Sequence, residues 1–563
     1  MASLHPIGPE SWSLASARHL LNRAGFGVPH SLAVRLSEMA PEAAVDHLLG
    51  YENVPFAYPE PDFLIPALTQ QERRAKRRGL GEEERRALQQ EEQRKEREAL
   101  RRLQAWWIQR MRVSPRPLEE KMALFWHGHF ATSAQKVRAS QHNYELLEVF
   151  RRNATGNFRT LVTHVGQSPC MLRYLDNDRS TKQKPNENWA RELMELFTLG
   201  QGQYTEEDIK EAARAFTGWS SDGRSFQFRR QAHDSGAKTV FGRTGNFDGA
   251  DMIDILFEQE ALAPFICGKL WKFFASENPD PDVVAALAST FRESSFELKP
   301  VLRQIFLSEA FHAPEVVGSQ IKSPAQFVVK LTHDLALDTV PPVAMVQATA
   351  RLGQDLLHPP NVKGWDGNRA WINANTLLIR YNLPADLASA ATRGHNQRMA
   401  GGGDAMMMAP AGADPELAPP AMTMTPAEKK AAEDPRAALR EQIREKLKGL
   451  PREERQFKLK ILRTGNPAQR RALLKELGLE APAEYDPLSD MFEGMTFTTA
   501  GECIAQLAER LIGAPLAHDQ RQTLLQALGV PDAGMPVTPE NLPDQKRNEL
   551  LHLMTSLAEY QLC

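Results

Sequence analysis

Apolar residues recur along this chain mostly at helical spacing. The clearest case is the stretch Asn186–Gly200, where Trp189, Leu193, Leu196 and Phe197 fall at i, i+4, i+7 and i+8. That spacing puts all four on one helix face, toward a core. Asn188, Glu192 and Glu195 share a second row, and Glu187, Arg191 and Glu195 form another beside it. Asn186 is placed to cap the first turn with its side-chain oxygen. Gly200 is placed to end the helix in a left-handed conformation. The predicted helix therefore carries an apolar stripe and a polar one.

Similar patterns predict helices elsewhere. Residues 13–50 read as two helices divided at the glycines near Gly27, and Pro- and aromatic-rich residues 52–66 as a loop. Residues 70–105 are dominated by Arg, Glu, Lys and Gln. They suit either an interaction arm or a long solvated helix, and the interleaving of both charge signs favours the second. An amphipathic helix follows from Pro117, ending in Trp126-His-Gly-His-Phe130. Helical segments lie around 144–150 and 158–164. Thr205-Glu-Glu-Asp208 reads as a capping box opening a helix that stops at Gly218. The period then changes to that of strands at Phe226–Arg229 and Lys238–Phe241, with turn residues between them, which predicts a small β-hairpin. Helical patterning resumes at 251–272, 281–294, 298–310, 323–336 and 343–353. Residues 361–376 form a Gly/Asn/Trp-rich patch suited to lining a pocket or packing in a core.

The pattern lapses at 395–425, a stretch rich in Gly, Ala, Pro and Met. Low apolar periodicity predicts a disordered linker there, although Met406–Met408, Met422 and Met424 are also Cu(I)-compatible thioethers. The predicted organisation is a main helical domain at 1–390, the linker at 395–425, a charged helical segment at 426–480, and a C-terminal helical region at 484–563 that packs on the main domain. The fold class is mainly α, multi-helical, with one small hairpin.

Composition narrows the function classes. The hydrophobic fraction of 42% supports a sizeable core, and a net charge of −3 gives no global reason to bind nucleic acid or an anionic membrane. The four cysteines are far apart, with no CxxC pair, which disfavours a zinc knuckle, a redox motif or a disulfide scaffold. The N-terminus lacks the basic and apolar regions of a signal peptide, and no run is long enough for a membrane span. The expected compartment is thus cytoplasmic. No Walker loop, HExxH, GxSxG or dinucleotide fingerprint occurs.

The candidate chemistry is a set of His, carboxylate and basic residues. His127 and His129 are two apart. On a regular helix they point about 200° apart, so they share a face only if Gly128 breaks the helix. With Glu192, Glu195, His233 and Asp234 they form an expected metal-ligand set, which suits a first-row divalent metal and an activated water. Glu187, Arg191, Lys238 and Asp176 are the expected catalytic residues, with Arg191 or Lys238 stabilising negative charge. The carboxylates Glu192 and Glu195, one turn apart, should repel each other and keep one proton. The plainer alternative is that each of these groups pairs off separately as turn or core chemistry.

Several stretches resemble the bacterial domain-of-unknown-function 1800 family. They are Leu21-Asn-Arg-Ala-Gly-Phe-Gly27, Phe125-Trp-His-Gly-His-Phe130, Leu175-Asp-Asn177, Pro185–Gly200, His233-Asp-Ser-Gly-Ala-Lys238 and Pro360-Asn-Val-Lys-Gly-Trp365, with a C-terminal Glu-Tyr-Gln-Leu-Cys563. The resemblance implies no established reaction. It does imply a neighbour, since genes of this family commonly lie beside those of the domain-of-unknown-function 1501 family, which resembles sulfatases and alkaline phosphatases. It also implies export for many relatives; this chain departs from that pattern in lacking an export signal, and export with a partner stays open beside the cytoplasmic expectation. Three functions stay open: a divalent-metal-dependent hydrolase, a non-catalytic companion of a sulfatase-like partner, and a non-haem metal oxidoreductase. Convergence of the named side chains in one pocket would favour an enzyme; separate pairing would favour the companion.

Overall fold

The computed structural model describes residues 4–27, 30–399, 446–448, 451, 454–455, 458, 473, 476–477, 488–492, 495–539 and 541–563. The architecture is mainly α, with two small antiparallel two-stranded sheets. The linker and charged-segment expectations fall almost wholly outside the described residues. The exceptions are 395–399, which continue the helix Ala374–Met399, and a few scattered positions between 446 and 477.

The central stretch is helical from Glu187 and buries the face its spacing selects. Asn186 caps it by accepting from the Asn188 amide at 2.9 Å. Trp189, Leu193 and Phe197 are buried in the core and Leu196 packs partly against it. After Glu192 the helix widens into a π-helix at Leu193–Thr198. The Leu199 and Gly200 amides both return to the Met194 carbonyl, at 2.9 and 3.1 Å. Gly200 then ends the element at φ 88°. Leu193→Ala is expected to cost about 2–5 kcal/mol, the usual range for truncating a fully buried leucine. Denaturant melts check it, and a loss under about 0.5 kcal/mol would mean that the buried face is misassigned.

Proline and glycine divide other predicted helices more finely. Residues 13–50 form three helices, Leu14–Ala24, His30–Ser37 and Pro41–Leu49, because Pro41 suits a first helical position. The charged stretch forms Gln70–Arg77 and Glu82–Val113, separated around Gly79 at φ 83°. The second of these is solvated over its first half and buried from Ala99 onward. The 251–272 pattern is two helices, Gly249–Phe257 and Leu262–Phe274. The helix Pro117–His129 runs straight through Gly128. The expected break there does not occur, so His127 and His129 point to different surroundings. The glycine that permits close approach here is Gly364: at φ 86°, a Cβ on it would lie 2.2 Å from the Gly128 carbonyl oxygen, whereas a Cβ on Gly128 would only touch Trp365 at 4.0 Å.

The two predicted strands exist but do not pair with each other. Phe226–Phe228 pairs with Trp219–Ser221 around the turn at Asp222–Ser225, and Lys238–Val240 pairs with Arg243–Gly245 around Gly242. Each finds its partner across a tight local turn, the shorter chain closure.

The C-terminal residues are built into the main body. Helix Asp544–Ser556 packs on Ala374–Met399. The last residues bridge to 320–322, with the Cys563 amide donating to the Gln320 carbonyl at 2.9 Å and the Lys322 amide to that of Gln561 at 2.9 Å. Tyr560 is fully buried, and its hydroxyl donates to Asp334 at 2.8 Å.

Candidate functional site

The ten residues singled out from sequence divide into separate groups. His129 lies under the C-terminal end of the central helix, where the last carbonyls lack intrahelical donors. Its Nε2–H donates to the Phe197 carbonyl at 3.0 Å, and its Nδ1 accepts from the Lys269 ammonium at 3.1 Å. Lys269 also donates to the Leu196 carbonyl at 2.8 Å. Burial, then the Lys269 charge, holds the His129 pKa well below the ordinary histidine value. Burial lowers Lys269 to about 8. Both imidazole nitrogens are therefore committed to holding the helix end.

His127 faces elsewhere. Its Nε2 accepts from the Leu357 amide at 3.2 Å, fixing a residue held at φ 65°. Burial, reinforced by His358, brings its pKa down to about 3, so the ring is neutral. Trp107 and Trp365 pack around it.

Glu187 and Glu195 of the central helix are engaged by other partners. Glu187 pairs with Arg191 at 3.2 Å, and Arg191 makes a two-pronged contact to Glu206 at 2.8 and 2.9 Å. These are partly solvated pairs of small net effect. Glu195 accepts from Gln201 at 2.7 Å and from the Tyr204 hydroxyl at 3.0 Å. Glu192 is raised above the ordinary glutamate value, first by burial and then by Glu195. The expected repulsion between these neighbours is present, and no histidine relieves it. Asp176, at φ 57°, pairs with Lys136 at 2.6 Å.

The remaining three meet beside the helix Glu206–Ala215. Arg214 donates to Asp234 at 2.8 Å and to Glu211 at 2.7 Å. The hydrogen bond from Arg214 holds the Asp234 carboxyl below its ordinary value. His233 Nδ1–H donates to the Thr217 carbonyl at 2.9 Å. Lys238, buried, donates to the carbonyls of Asp234 and Gly236, the latter at 3.1 Å. Burial is the main cause of its lowered pKa. This network staples the 233–238 loop to the helix.

The structure does not gather the expected metal-ligand set in one place. The straight helix separates His127 from His129, Arg214 engages Asp234, and Tyr204 and Gln201 engage Glu195. Among the described residues, no group of three or more His, Cys, Asp or Glu side chains is arranged to hold a metal ion. The residues present do not fit the divalent ion that the sequence suggests.

Sequence reading missed Lys269, which lies in a helix where it passes for an ordinary polar position. It also missed the buried network around Glu120. That carboxylate accepts from Trp107 at 3.2 Å, from Arg151 at 2.9 Å and from Arg110. The pattern E-E-K at 119–121 gave no sign that Glu120 faces inward.

The family described as Protein of unknown function (DUF1800) matches residues 19–562. The chain belongs to that family. The match continues through the C-terminal helices, which the fold joins to the rest. No curated protein and no solved structure matches this DUF1800 chain. Among its described residues, no helix is long and apolar enough to cross a membrane.

Proposed function

We propose that this DUF1800 chain is a non-catalytic binding protein, a companion of a sulfatase-like protein of the domain-of-unknown-function 1501 family. The reading is preferred over a divalent-metal hydrolase or a non-haem metal oxidoreductase. The observation that carries it is the commitment of His129, with one ring nitrogen on the Phe197 carbonyl and the other on Lys269. The other candidates are engaged in separate pairs. Buried polar groups satisfied in this way rigidify a fold instead of presenting a reactive centre.

The helical arm at 70–98 supports a docking role. Its surface is exposed and mixed in charge, with ion pairs such as Lys76–Glu92 at 2.7 Å and Arg94–Glu91 at 2.9 Å. Its base is anchored by Arg224–Glu72 at 2.8 Å. Such pairs contribute little to folding and leave the surface free for a partner of complementary charge pattern.

Co-expression with a sulfatase-like protein of that family, followed by size-exclusion chromatography, tests the proposal. Co-elution is expected, weakened by charge reversal along the arm. Separate elution, together with hydrolysis by the purified chain alone, contradicts it.

A further inference from the structure

A cavity of about 340 Å³ lies where three distant parts of the chain meet. It is lined from helix Leu14–Ala24 by Arg18 and Asn22, from helix Pro324–Asp334 by Lys330 and Asp334, and from the end of helix Ala500–Leu511 by Arg510. The volume is several times that of one water.

The charges around it do not balance. Among the described residues, Asp334 is the one carboxylate of the lining, and Lys330 neutralises it at 2.9 Å while Tyr560 also donates to it at 2.8 Å. Asp334 attracts Arg18 and Arg510 only at longer range, and neither makes an ion pair with it. Arg18 donates to His30 Nδ1 at 2.8 Å and Arg510 to the Met491 carbonyl at 3.0 Å. Each guanidinium carries five N–H donors, so most of the hydrogen-bonding capacity of both is unspent by these contacts. Among the described residues, neither has a carboxylate within ion-pair distance. Glu509, which attracts Arg18 at longer range, is exposed.

The neutral groups point the same way. His30 and Ser31, at the start of the helix His30–Ser37, also line the cavity. His333 also lines it, and burial keeps that ring neutral at about 4. Burial lowers Arg18 and Arg510 as well. A partly buried cation without an ion-paired anion carries a desolvation cost, and an anion placed between two guanidiniums relieves it.

We propose that this cavity binds a tetrahedral oxyanion, either free phosphate or sulfate or the same group carried on a small monoester. Two planar guanidiniums can each offer a fork of donors to such a group, which a compact ammonium cannot. The anion would bridge the first helix of the chain to the C-terminal helices and stabilise their docking. The site shares no residue with the ten discussed above and does not rest on the companion reading, so either can fail alone.

The test uses the full chain in thermal-shift and calorimetric titrations. The probes are sodium phosphate, sodium sulfate, phenyl phosphate and phenyl sulfate, each compared with sodium chloride at equal ionic strength. Phosphate or sulfate is expected to raise the melting temperature more than chloride, because a ligand that binds only the folded state stabilises it. Arg18→Gln and Arg510→Gln are each expected to weaken binding about tenfold or more, the effect of losing one charge-assisted contact. Both side chains are partly exposed, so both variants should fold. Lys299→Gln, which removes the same charge at a different cavity, should bind as the parent does. Tighter binding of the phenyl esters identifies a monoester as the ligand, and tighter binding of the inorganic ions identifies the free anion. Shifts no larger than those from chloride, or unchanged affinity in both arginine variants, overturn the proposal.

Discussion

Glu120→Ala is expected to destabilise the protein by about 3–5 kcal/mol, the range for removing one partner of a buried ion pair. Glu120 is fully buried, and Arg151 is nearly so. Burial pushes the Glu120 carboxyl up, but Arg151 and Arg110 outweigh it and hold it below the ordinary glutamate value. Alanine would leave both guanidiniums and the Trp107 indole N–H without this acceptor. Glu120→Gln keeps the shape and one acceptor and should cost less. The pH dependence follows from the sign of the shift. A depressed folded-state pKa contributes stability above the unfolded value, and that contribution is lost as pH falls. The difference between parent and Glu120→Ala in denaturant melts should therefore be full at neutral pH and shrink in acid. A difference that is flat with pH would mean that the carboxylate charge is not what holds Arg151.

His129→Ala is expected to cost about 3 kcal/mol, from an unpaired buried carbonyl and a lost ring in a packed place. Phe197 loses its side-chain donor, and Lys269 loses one of its two acceptors. Truncation also removes the ring packed against Phe125, Trp126 and Phe130. The loss should appear as lower thermal stability with the helix content intact. The metal-site alternative predicts the reverse: a protein of ordinary stability that no longer holds its ion.

The mainly helical fold was legible because its signals are local. The stripe Trp189, Leu193 and Phe197, the caps at Asn186 and Thr205 and the stop at Gly200 are decided by spacing within one element, and each is found. Glu192 beside Glu195 was legible for the same reason. The site was not, because it depends on which elements meet. His127 and His129 looked like a pair on the premise that glycine breaks a helix. The cost of a helical glycine, about 1 kcal/mol, is small against the packing of Trp126 and Phe130 on either side. The π-turn at Leu193–Thr198 has no spacing signature, so nothing in the sequence placed the carbonyls that capture His129 and Lys269. The same limit hid the cavity, since Arg18 and Arg510 are separated by most of the chain.

The claim that these residues build the fold and do not hold a metal is tested most directly by one comparison. Thermal unfolding of the parent and of His129→Ala would be followed with a strong chelator and with added zinc, manganese or iron(II), alongside elemental analysis of both proteins. The account predicts a parent whose melting temperature is unchanged by chelator, no stoichiometric metal in either protein, and the same deficit for His129→Ala in every condition. Stoichiometric metal in the parent, lost in the variant, with a parent melting temperature that falls on chelation, would contradict it.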